Sequence, residues 1–130
     1  MDQTRYDRGL KMRRQVLGDA YVDRALGDVD DFNRDFQRLI TECAWGETWG
    51  DDTLKPRDRS ILVLGMIGAL GKMHEFEIHF RGAIRNGLTQ SELRAALTQI
   101  AIYCGFPAAL ECFRVARKVL AEGKNEVKNR

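Results

Sequence analysis

Both histidines of this chain fall within one short stretch, Lys72 to Arg81, which reads KMHEFEIHFR. It follows ILVLGMIGAL, Ile61 to Leu70, the most apolar run in the sequence. If the chain is helical from Lys72 to Asn86, then Lys72, Glu75 and His79 lie at i, i+3 and i+7 and share a face. A cation, a carboxylate and an imidazole on one stripe are suited to proton transfer on an acidic substrate. In that reading Glu75 orients His79 and favours its charged form, so that an imidazole near its ordinary pKa of about 6.5 acts at neutral pH. The plainer alternative is an ordinary helical pair worth roughly 0.3 kcal/mol.

Other chemistries find less support. His74, Glu75, Glu77 and His79 do not form H-x-x-x-H or H-E-x-x-H, which argues against a metal site. Cys43, Cys104 and Cys112 are an odd number without C-x-x-C spacing, which argues against a disulfide framework and a dithiol redox centre. Cys104 reads as inert packing, or as a single reactive thiol if its pKa is depressed. Trp45, Trp49 and Tyr103 read as core or interface residues, with a ligand-pocket wall as the second choice. No G-x-S-x-G, P-loop or G-x-G-x-x-G is present.

The elements that must carry these residues read as helices. Tyr6 to Leu17 is basic and amphipathic, with Gly18 as its stop. Asp19 caps a short helix to Leu26. Asp30 or Asp31 caps the next, with Phe32, Phe36, Leu39, Ile40 and Cys43 at helical spacing and an end near Trp45 and Gly46. Gly46 to Lys55 reads as a loop. Pro56 opens a helix that is apolar on all sides from Ile61, the expected central buried element. Gly65, Gly68 and Gly71 suit close backbone approach, and Gly71 also suits a break before Lys72. Asn86-Gly87 is a stop, and Thr89 to Glu92 matches a capping box opening a helix to Tyr103. Gly105 and Pro107 precede a last helix that Gly123 ends. The expected fold is all-α, a bundle of six or seven helices in one domain over 1–130.

The net charge of +2 is too small for strong non-specific attraction to nucleic acid, so a basic bundle binding nucleic acid or a protein partner ranks behind an enzyme. Arg5, Arg8, Lys11, Arg13 and Arg14 crowd one end of the chain, and Lys118, Lys124, Lys128 and Arg130 the other. They read as a solvated helix face and a tail, or more sharply as anchors for anions. Ile61 to Leu70 is too short to span a bilayer. No apolar leader is visible, and a reduced cytoplasmic setting is expected.

Over nearly its whole length the sequence resembles the carboxymuconolactone decarboxylase family. The resemblance rests on RYDRGLKMRRQVLGDAYVDRAL, ITECAWGETW, RDRSILVLGMIGALGK, EIHFRGAIRNGLTQSELRAAL and IAIYCGFPAALECFRVARKVL. The first block and YCGFPAA look like the decarboxylase branch. The AhpD-like thiol peroxidases of the same family carry C-x-x-C followed four residues later by histidine. Aligned on His79, those cysteines fall on Lys72 and Glu75, so this chain keeps the histidine and lacks both thiols. The resemblance implies an all-α AhpD-like fold and assembly as rings, commonly hexamers. It implies cofactor-independent, metal-free 4-carboxymuconolactone decarboxylase activity in protocatechuate breakdown. His79 would be proton donor or oxyanion donor, and Glu75 its partner. Lys72, Arg59, Tyr103 and Arg14, the last from the same or an adjacent subunit, would bind the small anionic lactone. The alternatives are a relative acting on another small acid or lactone, and a single-cysteine redox protein.

Overall fold

The computed structural model describes residues 2–128, with side chains described as far as Gly123. The chain is all-α. In order, the helices are α1 (Gln3–Leu17), α2 (Asp19–Gly27), α3 (Arg34–Leu39) continuing as a π-helix (Ile40–Trp49), α4 (Pro56–Leu70), α5 (Met73–Arg85), α6 (Gln90–Cys104) and α7 (Phe106–Lys128). No helix among the described residues is long and apolar enough to cross a membrane. The fold has two compact units, one reaching to Arg59 and one starting at Ser60.

The first unit is built on α1 and the π-helix. Glycine makes their contact possible. A Cβ on Gly9 would overlap the Thr41 carbonyl oxygen, and one on Gly46 would overlap the Arg5 carbonyl oxygen. Gly46 is therefore a close-approach residue inside a helix, and the expected loop from Gly46 shrinks to 50–55. Trp45 and Trp49 are buried and stack with centroids 5.0 Å apart. Phe32, Phe36 and Leu39, the apolar residues read at helical spacing, are exposed, Phe32 almost fully. Asp30 caps a turn, accepting from the amides of Phe32 and Asn33, and the helix starts only at Arg34. Asp19 is the first residue of α2 and follows a Gly18 cap at φ 88°.

The basic residues of α1 divide: Arg8 and Lys11 are exposed, as a solvated face requires, but four of the five side chains have partners among the described residues and Arg13 is buried. Arg5 meets Glu42 and Glu47, Arg8 donates to the Gly46 carbonyl, and Arg14 meets Asp19 and Asp23. Arg13 is buried, donating to Gln37 and Thr41 at 3.1 and 3.2 Å, and burial lowers its pKa. At the other end of the chain, the side chains of Lys124 and Lys128, and all of Arg130, lie outside the described residues.

The second unit has a core of Leu64, Phe76, Phe80, Leu93, Leu97, Ile100 and Cys112 with smaller neighbours. Burying a phenylalanine contributes about 2–3 kcal/mol, so Phe76 and Phe80 make α5 a principal element of this core. Its turns follow local signals. Gly71, Gly87 and Gly105 take φ of 71°, 95° and 100°, where side-chain-bearing residues are strained. Thr89 and Glu92 form the full capping box. The final helix starts at Phe106 and passes through Gly123, because one glycine weakens a helix by only about 1 kcal/mol.

The expectation of a central buried α4 fails. It buries only Ser60, Leu64 and Gly68, one stripe at four-residue spacing. A Cβ on Gly68 would lie 3.1 Å from Ile100 and 3.2 Å from Cys112, so this glycine does serve close packing. Gly65 faces open space instead. Leu62, Met66 and Leu70, another four-residue stripe, are 49%, 54% and 70% exposed, leaving half of this apolar helix uncovered by the described residues.

Candidate active site

The apolar residues Phe76 and Phe80 dock α5, and charged residues fix its pitch. Glu77 pairs with Lys118 of α7 at 2.9 Å and Arg81 at 3.2 Å, while Arg81 reaches Glu122 at 2.8 Å. Lys118, then Arg81, hold the Glu77 carboxyl below its ordinary pKa. Glu77 thus belongs to the α5–α7 fastening and not to the stripe of His79.

Helix α5 begins at Met73 after the break at Gly71, so Lys72 is its N-cap and not its first turn. Lys72, His74 and Glu75 are exposed, and His79 is half-buried. Burial drives the His79 pKa down to about 4, because an imidazolium there loses its hydration. This reverses the expected direction. Glu75 stands in solvent, where water screens its field, so desolvation outweighs the pairing that was to favour the charged ring. At pH 7 the ring is neutral, with one N–H to donate and one lone pair to accept.

Two turns beyond His79 on the same face, Asn86 caps the C-terminus of α5. Its Nδ2 donates to Oγ of Ser60 at 2.8 Å, and Ser60 is fully buried on α4. In the sequence Asn86 reads only as a stop, and Ser60 belongs to no motif. The available signal was a serine one helical turn before Leu64, on the stripe that α4 buries.

The other named residues are dispersed. Arg59 donates to the carbonyl and carboxylate of Asp51, both at 3.1 Å, and Arg14 is held by Asp19 and Asp23 at 3.1 and 2.8 Å. Both lie in the first unit, whereas Lys72, Glu75, His79 and Tyr103 lie in the second. Tyr103 is 81% exposed at the end of α6, lining a groove of about 260 Å³ with Ile61, Gly65 and Cys104. A second cavity of about 370 Å³ lies among α5, α6 and α7. His79 lines neither. Cys112 is buried and its pKa is pushed up to about 11 by desolvation, so it is no nucleophile; Cys104 is exposed.

Comparison with known proteins decides the family. The sequence model of the Carboxymuconolactone decarboxylase family matches residues 34–118. This chain belongs to that family. It is 36% identical over 121 residues to a 4-carboxymuconolactone decarboxylase of Acinetobacter baylyi, covering 93% of this chain and 90% of that protein. It is 43% identical over 115 residues to nitrosuccinic acid decarboxylase npaB of Metarhizium robertsii, covering 88% and 80%. A 4-carboxymuconolactone decarboxylase of Pseudomonas putida is 52% identical over 46 residues, 35% of this chain and 96% of that protein. As a member of the carboxymuconolactone decarboxylase family with these relatives, the chain is a carboxy-lyase.

Proposed function

We propose that this carboxy-lyase converts 4-carboxymuconolactone to the β-ketoadipate enol-lactone in cytoplasmic protocatechuate breakdown, without a cofactor. The observation that carries the reading is a half-buried, neutral His79 on an α5 fastened to α7 through Glu77 and Arg81 and to α4 through Asn86, in a chain alignable over nearly its full length with a decarboxylase of that lactone. The family match runs through both compact units, which supports one functional domain over 1–130.

The substrate supplies its own electron sink. The departing carboxylate sits on the γ carbon of an α,β-unsaturated lactone. Its C–C bond breaks, and the electron pair moves through the ring double bond to the lactone carbonyl. The result is a 2-oxyfuran dienolate, which takes a proton at the α carbon. The protein must hold a dianion, stabilise the oxyanion and deliver that proton. A neutral His79 fits the second task, donating its N–H to the carbonyl oxygen as charge develops; a preorganised donor of this kind is worth roughly 3 kcal/mol. The negative charge of the dienolate raises the pKa of the ring, so once the C–C bond has broken His79 can take up a proton from solvent and pass it to the α carbon. Glu75 is its orienting partner in this reading.

Lys72, the exposed N-cap of the helix that carries His79, is the cation assigned to the substrate in this reading. Arg59, Arg14 and Tyr103 serve the carboxylates only if they change partners or act across subunits. A cation beside the departing carboxylate would stabilise the ground state, so these groups act at the carboxymethyl arm or the carbonyl. A homo-oligomer, a hexameric ring as the family resemblance implies, accounts for the exposed stripe Leu62, Met66 and Leu70 and for Phe106 and Leu110 at the start of α7.

The identity to a nitrosuccinic acid decarboxylase favours one alternative substrate. Nitrosuccinate also loses a carboxylate next to an acceptor, forming a nitronate that is protonated on carbon. The metal-free protein is to be given each acid in turn, following carbon dioxide release and the fate of the substrate. Turnover of the lactone at least a hundredfold faster in kcat/KM than of nitrosuccinate supports the first reading. The reverse order selects the alternative, and no turnover of either rejects both.

A further inference from the structure

The cavity of about 370 Å³ within the second unit is separate from His79 and has no role in the reaction above. Its walls are built from two matched stripes. Gln90, Leu93, Arg94 and Leu97 of α6 and Phe113, Ala116, Arg117 and Leu120 of α7 each fall at i, i+3, i+4 and i+7. The tight turn at Gly105 reverses the chain between these helices. Arg94 and Arg117 stand at nearly equal sequence distances from that turn, so they come level across the cavity. Phe80, Leu93, Leu97 and Ala116 are buried and form an apolar floor, while both arginines are exposed.

Neither guanidinium has a carboxylate within ion-pair reach among the described residues, whereas Arg81 of α5 has two. Two cations held level over an apolar floor repel each other and raise the local potential for anions. A carboxylate between them would accept charge-assisted hydrogen bonds while its apolar body fills the floor. The volume lies in the range of small-molecule sites.

We propose that this cavity is a second binding site, for an amphipathic monocarboxylate with an aryl or short alkyl body. It stands independently of the reaction assigned to His79.

Calorimetric titration of the full chain in its native assembly with 3-phenylpropanoate tests the site. Saturable binding is expected with Kd below about 1 mM. The R94Q/R117Q double variant should raise Kd at least tenfold, and neutral 3-phenylpropanamide should bind at least tenfold more weakly than the acid to the wild type. Ala116→Leu, an apolar enlargement of the floor, should abolish binding while circular dichroism shows native helicity. His79→Ala should leave Kd unchanged. No saturable heat, an unchanged Kd in the arginine variant, equal binding of the amide, or loss of binding in His79→Ala would each overturn the proposal. If Ala116→Leu unfolds the chain, the arginine variant and the amide still decide.

Discussion

Asn86 at the end of α5 donates to the buried hydroxyl of Ser60 at 2.8 Å, tying the helix that carries His79 to α4. The bond lies two turns from the imidazole and on its face. Ser60→Ala should cost about 1 kcal/mol in urea unfolding, the usual worth of such a bond. If the bond also holds the pitch of α5, kcat should fall by more than KM rises. A stability loss with unchanged kinetics would limit the pair to structure.

The pH dependence follows from burial. The His79 pKa lies near 4 in the folded chain against an ordinary value of 6.5. The unfolded chain therefore binds a proton in the window between these values and the folded chain does not, so stability falls as pH drops through it. Between pH 7 and pH 5 this group should cost about 2 kcal/mol. Denaturant titrations at the two pH values should show the loss in the wild type and a smaller one in His79→Gln.

Catalysis should have the matching profile. Because kcat/KM reports the free enzyme, it should be level from pH 6 to pH 8 and fall as His79 gains its proton towards pH 4. A reaction requiring the charged ring in the free enzyme would instead lose about tenfold per pH unit above pH 4.

Gly9→Ala should be among the most damaging single changes. The added methyl would overlap the Thr41 carbonyl oxygen and lie 2.8 Å from the Gly46 nitrogen, both backbone atoms that no rotamer relieves. A loss of roughly 3 kcal/mol or more is expected in denaturant melts. Gly27→Ala, with nothing within 4 Å of the new atom, should stay within about 0.5 kcal/mol.

Leu62→Glu with Met66→Glu places two charges on the exposed stripe of α4. If that stripe is a subunit contact, ultracentrifugation should show the native assembly falling to smaller species while helicity is kept. An unchanged sedimentation coefficient would move the contact elsewhere.

The parts of this fold legible in the sequence are those fixed by short-range chemistry. The Gly71 break, the Asn86-Gly87 stop and the Thr89–Glu92 box each depend on a few neighbouring residues, and each is where it was expected. What a face packs against is not local. Apolar periodicity placed Phe32, Phe36 and Leu39 on one side of a helix, and α4 at the centre, but could not say whether protein or water covers them. Gly46 reads as a turn until α1 is seen lying against it. The site divides the same way. His79 was visible from its type and setting, but its charge state depends on desolvation by distant residues, and Ser60 with Asn86 becomes a pair only when α4 and α5 meet.

The most direct test of the central claim is kcat/KM for 4-carboxymuconolactone in the wild type and in His79→Ala, with both shown to be folded. A neutral imidazole that meets the developing oxyanion predicts a loss of at least about a hundredfold. A variant within threefold of the wild type would contradict it.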